Sequence, residues 1–272
     1  MRTRLAVILL AALPLATPAA AQDPQARALI GAALTSSAAR TLAVDGYTLT
    51  GTGIGGRMVV EVRKFPGAPG SFPRWGSRVA ESHLGTDGEG TVRGALRFWL
   101  GIETLLDRGR NRAGPIGKDT VHGRRAYVIS FSDVRDLEDG PRAATPISAR
   151  VWLDSATLVP LRISNHGDLP GDAVAAPATV TLTLSDYRPA GRLLIPHRMV
   201  FVHGGAVPAI PAAEIPGLRA HLQRLRARAA AATGAARDPL LPQILVTEAM
   251  VTGKPPEVVI EVSSVAVSPR TR

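Results

Sequence analysis

The chain has 272 residues, a net charge of +10, no cysteine and 4% aromatic residues. The absence of cysteine excludes disulfides, thiolate metal sites and lipidation of the protein itself, because a lipoprotein leader needs a Cys directly after cleavage. So few aromatics argue against a platform for stacked nucleobases, and no nucleic-acid partner is expected.

The first residues read Met-Arg-Thr-Arg, then an apolar run from Leu5 to Leu15, then Ala19-Ala20-Ala21 before Gln22. A basic start, a short apolar middle and an A-x-A site are the layout of a secretory signal peptide. Cleavage is expected after Ala21, which makes 1–21 the leader and 22–272 an exported mature chain, a length that fits one large domain or two small ones. Pro14 and Pro18 break the apolar run, which is too short to span a bilayer. No later stretch reaches the ~18 apolar residues of a spanning helix, so no transmembrane segment is expected in the mature chain. Export places cytosolic kinases and transcription factors out of reach. Arg2 and Arg4 leave with the leader, and the remaining positive charge favours anionic surfaces, which in an envelope are headgroups and polymers. All the cations except Lys64, Lys118 and Lys254 are arginines.

Residues 23–43 predict a helix, with Asp23 as N-cap and Pro24 at the first position. Tyr47 to Thr50 predicts a strand, Gly51 to Gly56 a turn, and Arg57 to Arg63 a second strand with Met58, Val60 and Val62 on one face. After a Pro- and Gly-rich loop at 65–76, a strand is expected near 78–84. Val92, Leu96, Trp99, Leu100 and Leu106 recur at helical spacing and predict one helix over 91–107. From 115 to 203 short alternating runs joined by tight turns predict an antiparallel meander. Within it, Val180, Leu182 and Leu184 alternate with hydroxyl residues, and Pro196 argues for an edge or bulge. Residues 204–253 interrupt the sheet. There Ile215, Leu218, Leu222, Leu225 and Ala229 form an apolar helical stripe, with Arg219, Arg224, Arg226 and Arg228 elsewhere on the helix surface. The last strand is expected over Pro256–Val267.

Patterns for catalysis are weak. Gly51-Thr-Gly53-Ile-Gly-Gly56 matches G-x-G-x-x-G, but a dinucleotide site needs a helix after that loop and here a strand follows. The six histidines make no compact ligand pair. His197 and His203 lie ~20 Å apart at strand rise and cannot share a metal; surface or turn positions are expected for all six. The acidic residues Asp133, Asp136, Glu138 and Asp139 lack the spacing of a calcium loop, and no G-x-S-x-G or S-x-x-K motif is present. No catalytic residue, metal or cofactor is expected, and the protein reads as no enzyme.

Three segments carry a family likeness. They are Asp119-Thr-Val-His-Gly-Arg-Arg-Ala-Tyr-Val-Ile, Val151-Trp-Leu-Asp-Ser-Ala-Thr-Leu-Val-Pro-Leu-Arg-Ile and Ser185-Asp-Tyr-Arg-Pro-Ala-Gly-Arg-Leu-Leu-Ile-Pro-His-Arg-Met. Their order resembles the outer-membrane lipoprotein-sorting group of periplasmic proteins, the LolA-like superfamily with its LppX- and RseB-like relatives. The resemblance covers about a third of the chain well, within 119–203. It implies a single periplasmic domain over 22–272 with an α+β fold, a curved antiparallel sheet forming a half-open β-barrel, with helices on the concave apolar face and a cavity that accepts acyl chains. The 204–253 helical insertion departs from a plain carrier. Together with the alternation and the helical stripe, the resemblance nominates Met58, Val60, Val62, Leu96, Trp99, Leu100, Val180, Leu182 and Leu184 as the lining of that cavity. Arg219, Arg224, Arg226 and Arg228 are the candidates for headgroup or partner contact. The expected function is a carrier or sensor of lipid or lipoprotein acyl chains. The alternative is a non-enzymatic envelope module with a filled core that docks a protein partner through the insertion.

Overall fold

A computed structural model describes residues 23–54, 56–66, 72–135, 146–167, 178–204, 210–233, 236–237 and 240–269. The expected leader and the acidic run from 136 to 139 lie outside them. The chain opens with α1 (Pro24–Thr41), where Asp23 Oδ1 accepts from the Gln25 and Ala26 amides and Pro24 needs no donor. Strands β1 (Val44–Gly53), β2 (Gly56–Phe65) and β3 (Arg74–Ser82) follow as a meander. Two helices, α2 (Gly85–Leu100) and α3 (Ile102–Gly109), then replace the single helix predicted over 91–107. The break falls at Gly101, between the last residue of α2 and the first of α3; its amide still makes the helical bond to the Arg97 carbonyl at 2.9 Å.

The next six strands are β4 (Gly117–Val121), β5 (Arg124–Phe131), β6 (Ser148–Asp154), β7 (Pro160–Gly167), β8 (Ala178–Ala190) and β9 (Leu193–Gly204). Helices α4 (Ile215–Ala231) and α5 (Leu240–Thr252) precede the last strand, β10 (Glu257–Pro269). All ten strands form one antiparallel sheet in the order β3-β2-β1-β10-β9-β8-β7-β6-β5-β4. Edges β3 and β4 do not pair with each other, so the sheet is open, and β10 joins the two meanders at its centre. The class is α+β, as the sequence predicts.

Alternation decides which face is covered. Met58, Val60 and Val62 of β2, Leu182 and Leu184 of β8, and Ile260 and Val262 of β10 share one apolar core. Ala26, Ile30, Ala33 and Leu34 of α1, Val92, Ala95 and Leu96 of α2, and Leu105 and Leu106 of α3 close it. A smaller cluster holds Val121, Ala126, Trp152, Val159 and Leu161. There Trp152 Nε1 donates to Asp119 Oδ2 at 2.8 Å and the Arg162 guanidinium lies 5.5 Å from the indole. The Gly51–Gly56 segment is mostly strand: β1 runs through Gly53, which pairs with Gly56. The hairpin expected there stands, tighter than predicted, with Ile54 at φ 51°. Pro196 sits in β9 beyond its ladder with β10, which spans Arg198–Val202, so its missing N–H leaves that ladder intact.

Candidate functional site

Side chains from α1, α2, α3 and strands β1, β3, β8 and β9 enclose a cavity of about 80 Å³. α1 reaches it because its buried stripe runs on from Ala33 and Leu34 to Ser37 and Thr41, where apolar residues give way to hydroxyls. Thr41 Oγ1 is satisfied by the Ser37 carbonyl at 3.0 Å, and the Thr41 carbonyl accepts from Lys64 Nζ at 2.9 Å. Glu103 occupies the first turn of α3, where a carboxylate suits the helix dipole. The Ser37 hydroxyl donates to Glu103 Oε1, whereas Oε2 is buried and meets no donor among the described residues.

Aromatic rings make up much of the remaining wall. Tyr47 sits 5.6 Å from Trp75 and 6.4 Å from Trp99, tilted against both. Lys64 Nζ lies 5.8 Å from the Trp75 ring centre. Tyr187 donates its hydroxyl to the Pro160 carbonyl, which fixes β8 against the start of β7. Arg40 donates to Ser36 Oγ at 2.8 Å and reaches the Thr157 carbonyl at 3.5 Å. Leu193 and Ile195 contribute apolar surface.

Burial dominates the electrostatics. It pushes the Glu103 carboxyl above its ordinary 4.5, against the opposing pull of the Ser37 hydroxyl, the Trp75 indole and the charges of Arg40 and Lys64. It also raises both tyrosines, Tyr47 and Tyr187, with Glu103 adding to the effect at Tyr47. The Arg40 guanidinium is lowered by burial and partly restored by Glu103. The site is thus a small polar pocket inside an apolar core, with one carboxyl and one guanidinium that are not joined by a salt bridge.

Of the nine residues nominated for an acyl cavity, Trp99 and Leu100 border this pocket. Met58, Val60, Leu96, Leu182 and Leu184 are 0% exposed, and Val62 and Val180 are also buried. Six of these seven belong to the main core, Leu96 from α2 and Met58, Val60, Val62, Leu182 and Leu184 from the sheet, whereas Val180 is buried outside that cluster. Arg219, Arg224, Arg226 and Arg228 are all exposed on α4. Arg226 pairs with Glu248 of α5 at 2.9 Å, and among the described residues no ion pair holds the other three. Under them, Leu225, Ala229 and Leu240 form a separate small core between α4 and α5.

Sequence reasoning missed Glu103, Arg40, Tyr47 and Tyr187. Only one signal pointed to them: Ser37 and Thr41 fall on the apolar stripe of α1, where polar residues ask for a buried partner. The histidine expectation is corrected at His197, which is buried in β9 with Nδ1 2.8 Å from the Val262 carbonyl, a bond that joins β9 to β10. Among the described residues no group of three or more His, Asp or Glu side chains is arranged to hold a metal ion, and no helix is long and apolar enough to cross a membrane.

No family model matches the chain, and no curated protein matches it. Among solved structures the chain is similar to a LolA superfamily protein from Nitrosomonas europaea, with a TM-score of 0.33 and 7% sequence identity, over 89% of this chain and 94% of that one.

Proposed function

We propose that this is a non-enzymatic, periplasmic carrier or sensor that takes lipid or lipoprotein acyl chains between its sheet and its helices. The observation that carries the reading is the architecture of the core: an apolar sheet face closed by separate helices, with a cavity left where α1 and α3 meet the sheet. At about 80 Å³ that cavity is far below the roughly 300 Å³ of small ligand pockets. The described state is therefore the closed one, and acyl chains enter as the helices separate from the sheet. Met58, Val60, Val62, Leu96, Trp99, Leu100, Val180, Leu182 and Leu184 then become the lining, and burial contributes about 0.8 kcal/mol per methylene. Arg219, Arg224 and Arg228 meet anionic headgroups at the membrane surface.

Tryptophan quenching by brominated acyl chains tests this reading. Trp99 borders the cavity, whereas Trp152 lies in the separate smaller cluster and serves as the internal control. In single-tryptophan variants, brominated lipid is expected to quench Trp99 and spare Trp152. Equal quenching of both, or none, would sink the proposal.

A second reading draws on the buried lining and on the separate core of α4 and α5. In it the interior stays filled and the helical pair docks an envelope protein. Deleting 210–250 separates the two: a carrier keeps acyl binding, and a docking module loses its partner.

A further inference from the structure

The cavity keeps two opposite charges apart. Glu103 Oε2 is buried and makes no hydrogen bond of good geometry among the described residues, although the Trp75 indole lies near enough to draw on the carboxyl, and a carboxyl oxygen so placed is costly to bury. Arg40, on the same cavity wall, is held by the neutral oxygens of Ser36 and Thr157 and, among the described residues, by no carboxylate. Tyr47 and Trp99 add aromatic faces to the wall, which attract cations, while Trp75 already faces Lys64 Nζ at 5.8 Å.

We propose that this cavity binds a phosphoethanolamine group, the head of an aminophospholipid, with the primary ammonium donating to Glu103 Oε2 and the phosphate meeting Arg40. The inference rests on the lipid-binding reading above and names the lipid class. Three features select this head. A primary ammonium brings the N–H donor that Oε2 lacks, whereas the quaternary ammonium of choline has none. A glycerol head brings no cation to the carboxylate. The volume agrees as well: about 80 Å³ holds roughly five to eight waters at 10–15 Å³ each, close to the about eight heavy atoms of phosphoethanolamine.

Calorimetric titration of the protein with short-chain phosphatidylethanolamine, phosphatidylglycerol and phosphatidylcholine, and with free phosphoethanolamine, tests it. The ethanolamine lipid is expected to bind at least tenfold more tightly than the other two lipids. Glu103→Gln, which keeps the side-chain shape and removes the buried charge, is expected to abolish that preference while phosphatidylglycerol binding persists. Should the variant fail to fold, the headgroup series on the unaltered protein decides between the same outcomes. Equal affinity for all three lipids, or an undiminished preference in Glu103→Gln, overturns the head site and leaves the acyl reading standing. Binding of free phosphoethanolamine as tightly as the lipid supports the head site and removes the acyl reading. No binding of any probe overturns both.

Discussion

Asp154 closes the turn after β6 by accepting from the Ala156 amide at 3.1 Å and from the Thr157 amide and hydroxyl at 2.8 Å each. Arg124 Nε completes its shell at 2.9 Å. Burial raises its carboxyl, but these bonds and the Arg124 charge outweigh it and hold the group below the ordinary 3.8. A depressed carboxylate contributes stability that is present above its unfolded value and lost as pH falls through its folded one. Asp154→Ala is therefore expected to cost about 2–3 kcal/mol near pH 7 in denaturant melts, with the difference shrinking only as pH falls below the ordinary 3.8. Glu103 behaves in the opposite way. Its raised carboxyl favours the neutral form, so its contribution is fully present below the ordinary 4.5 and declines as pH rises through the folded value. Glu103→Gln is expected to raise Tm relative to the parent at pH 8 more than at pH 4, and an equal shift at both would contradict the burial argument. The Asp154 turn was legible in the sequence because Asp-Ser-Ala-Thr carries its own local hydrogen-bond chemistry. Glu103 was not, because a glutamate in a first helical turn looks the same whether water or another helix lies over it.

At the scale of elements, β1 and β10 meet closely at Gly51, where a side-chain carbon would come 2.1 Å from the Glu261 carbonyl oxygen. Gly51→Ala is expected to destabilise the fold by about 3 kcal/mol, seen as a lowered denaturant midpoint, whereas Gly123→Asn in an open turn at φ 78° is expected to be nearly neutral. The glycine pattern announced a hairpin, but the partner of Gly51 is β10, more than two hundred residues away along the chain and invisible to any local pattern. The helix over 91–107 was legible as an apolar stripe and not as two helices, since Gly101 keeps a helical φ of −77° and its amide still bonds the Arg97 carbonyl. The basic face of α4 was read correctly as solvent-facing. With three arginines in no ion pair among the described residues, each worth about 1 kcal/mol at an anionic bilayer, replacing Arg219, Arg224 and Arg228 with Gln is expected to weaken binding to phosphatidylglycerol vesicles by about a hundredfold at low salt. Unchanged sedimentation with the vesicles would remove the helix from the membrane.

Across the whole molecule, strand alternation disclosed which face of the sheet is apolar, and the antiparallel order followed from short strands and tight turns. It could not disclose whether that face is filled, because the same Leu182 and Leu184 pattern serves a packed core and an acyl cavity alike. The answer lies in how α1 and α3 settle on the sheet, a property of long-range packing that leaves no periodic trace. The central claim is that the helices yield to acyl chains. It is tested most directly by a native mass spectrum of the protein purified without detergent from the cells that make it. The expected result is a discrete added mass that organic solvent extracts as lipid or that digests as an acylated peptide. A bare protein mass, with no uptake after mixing with lipid or lipoprotein, would contradict it.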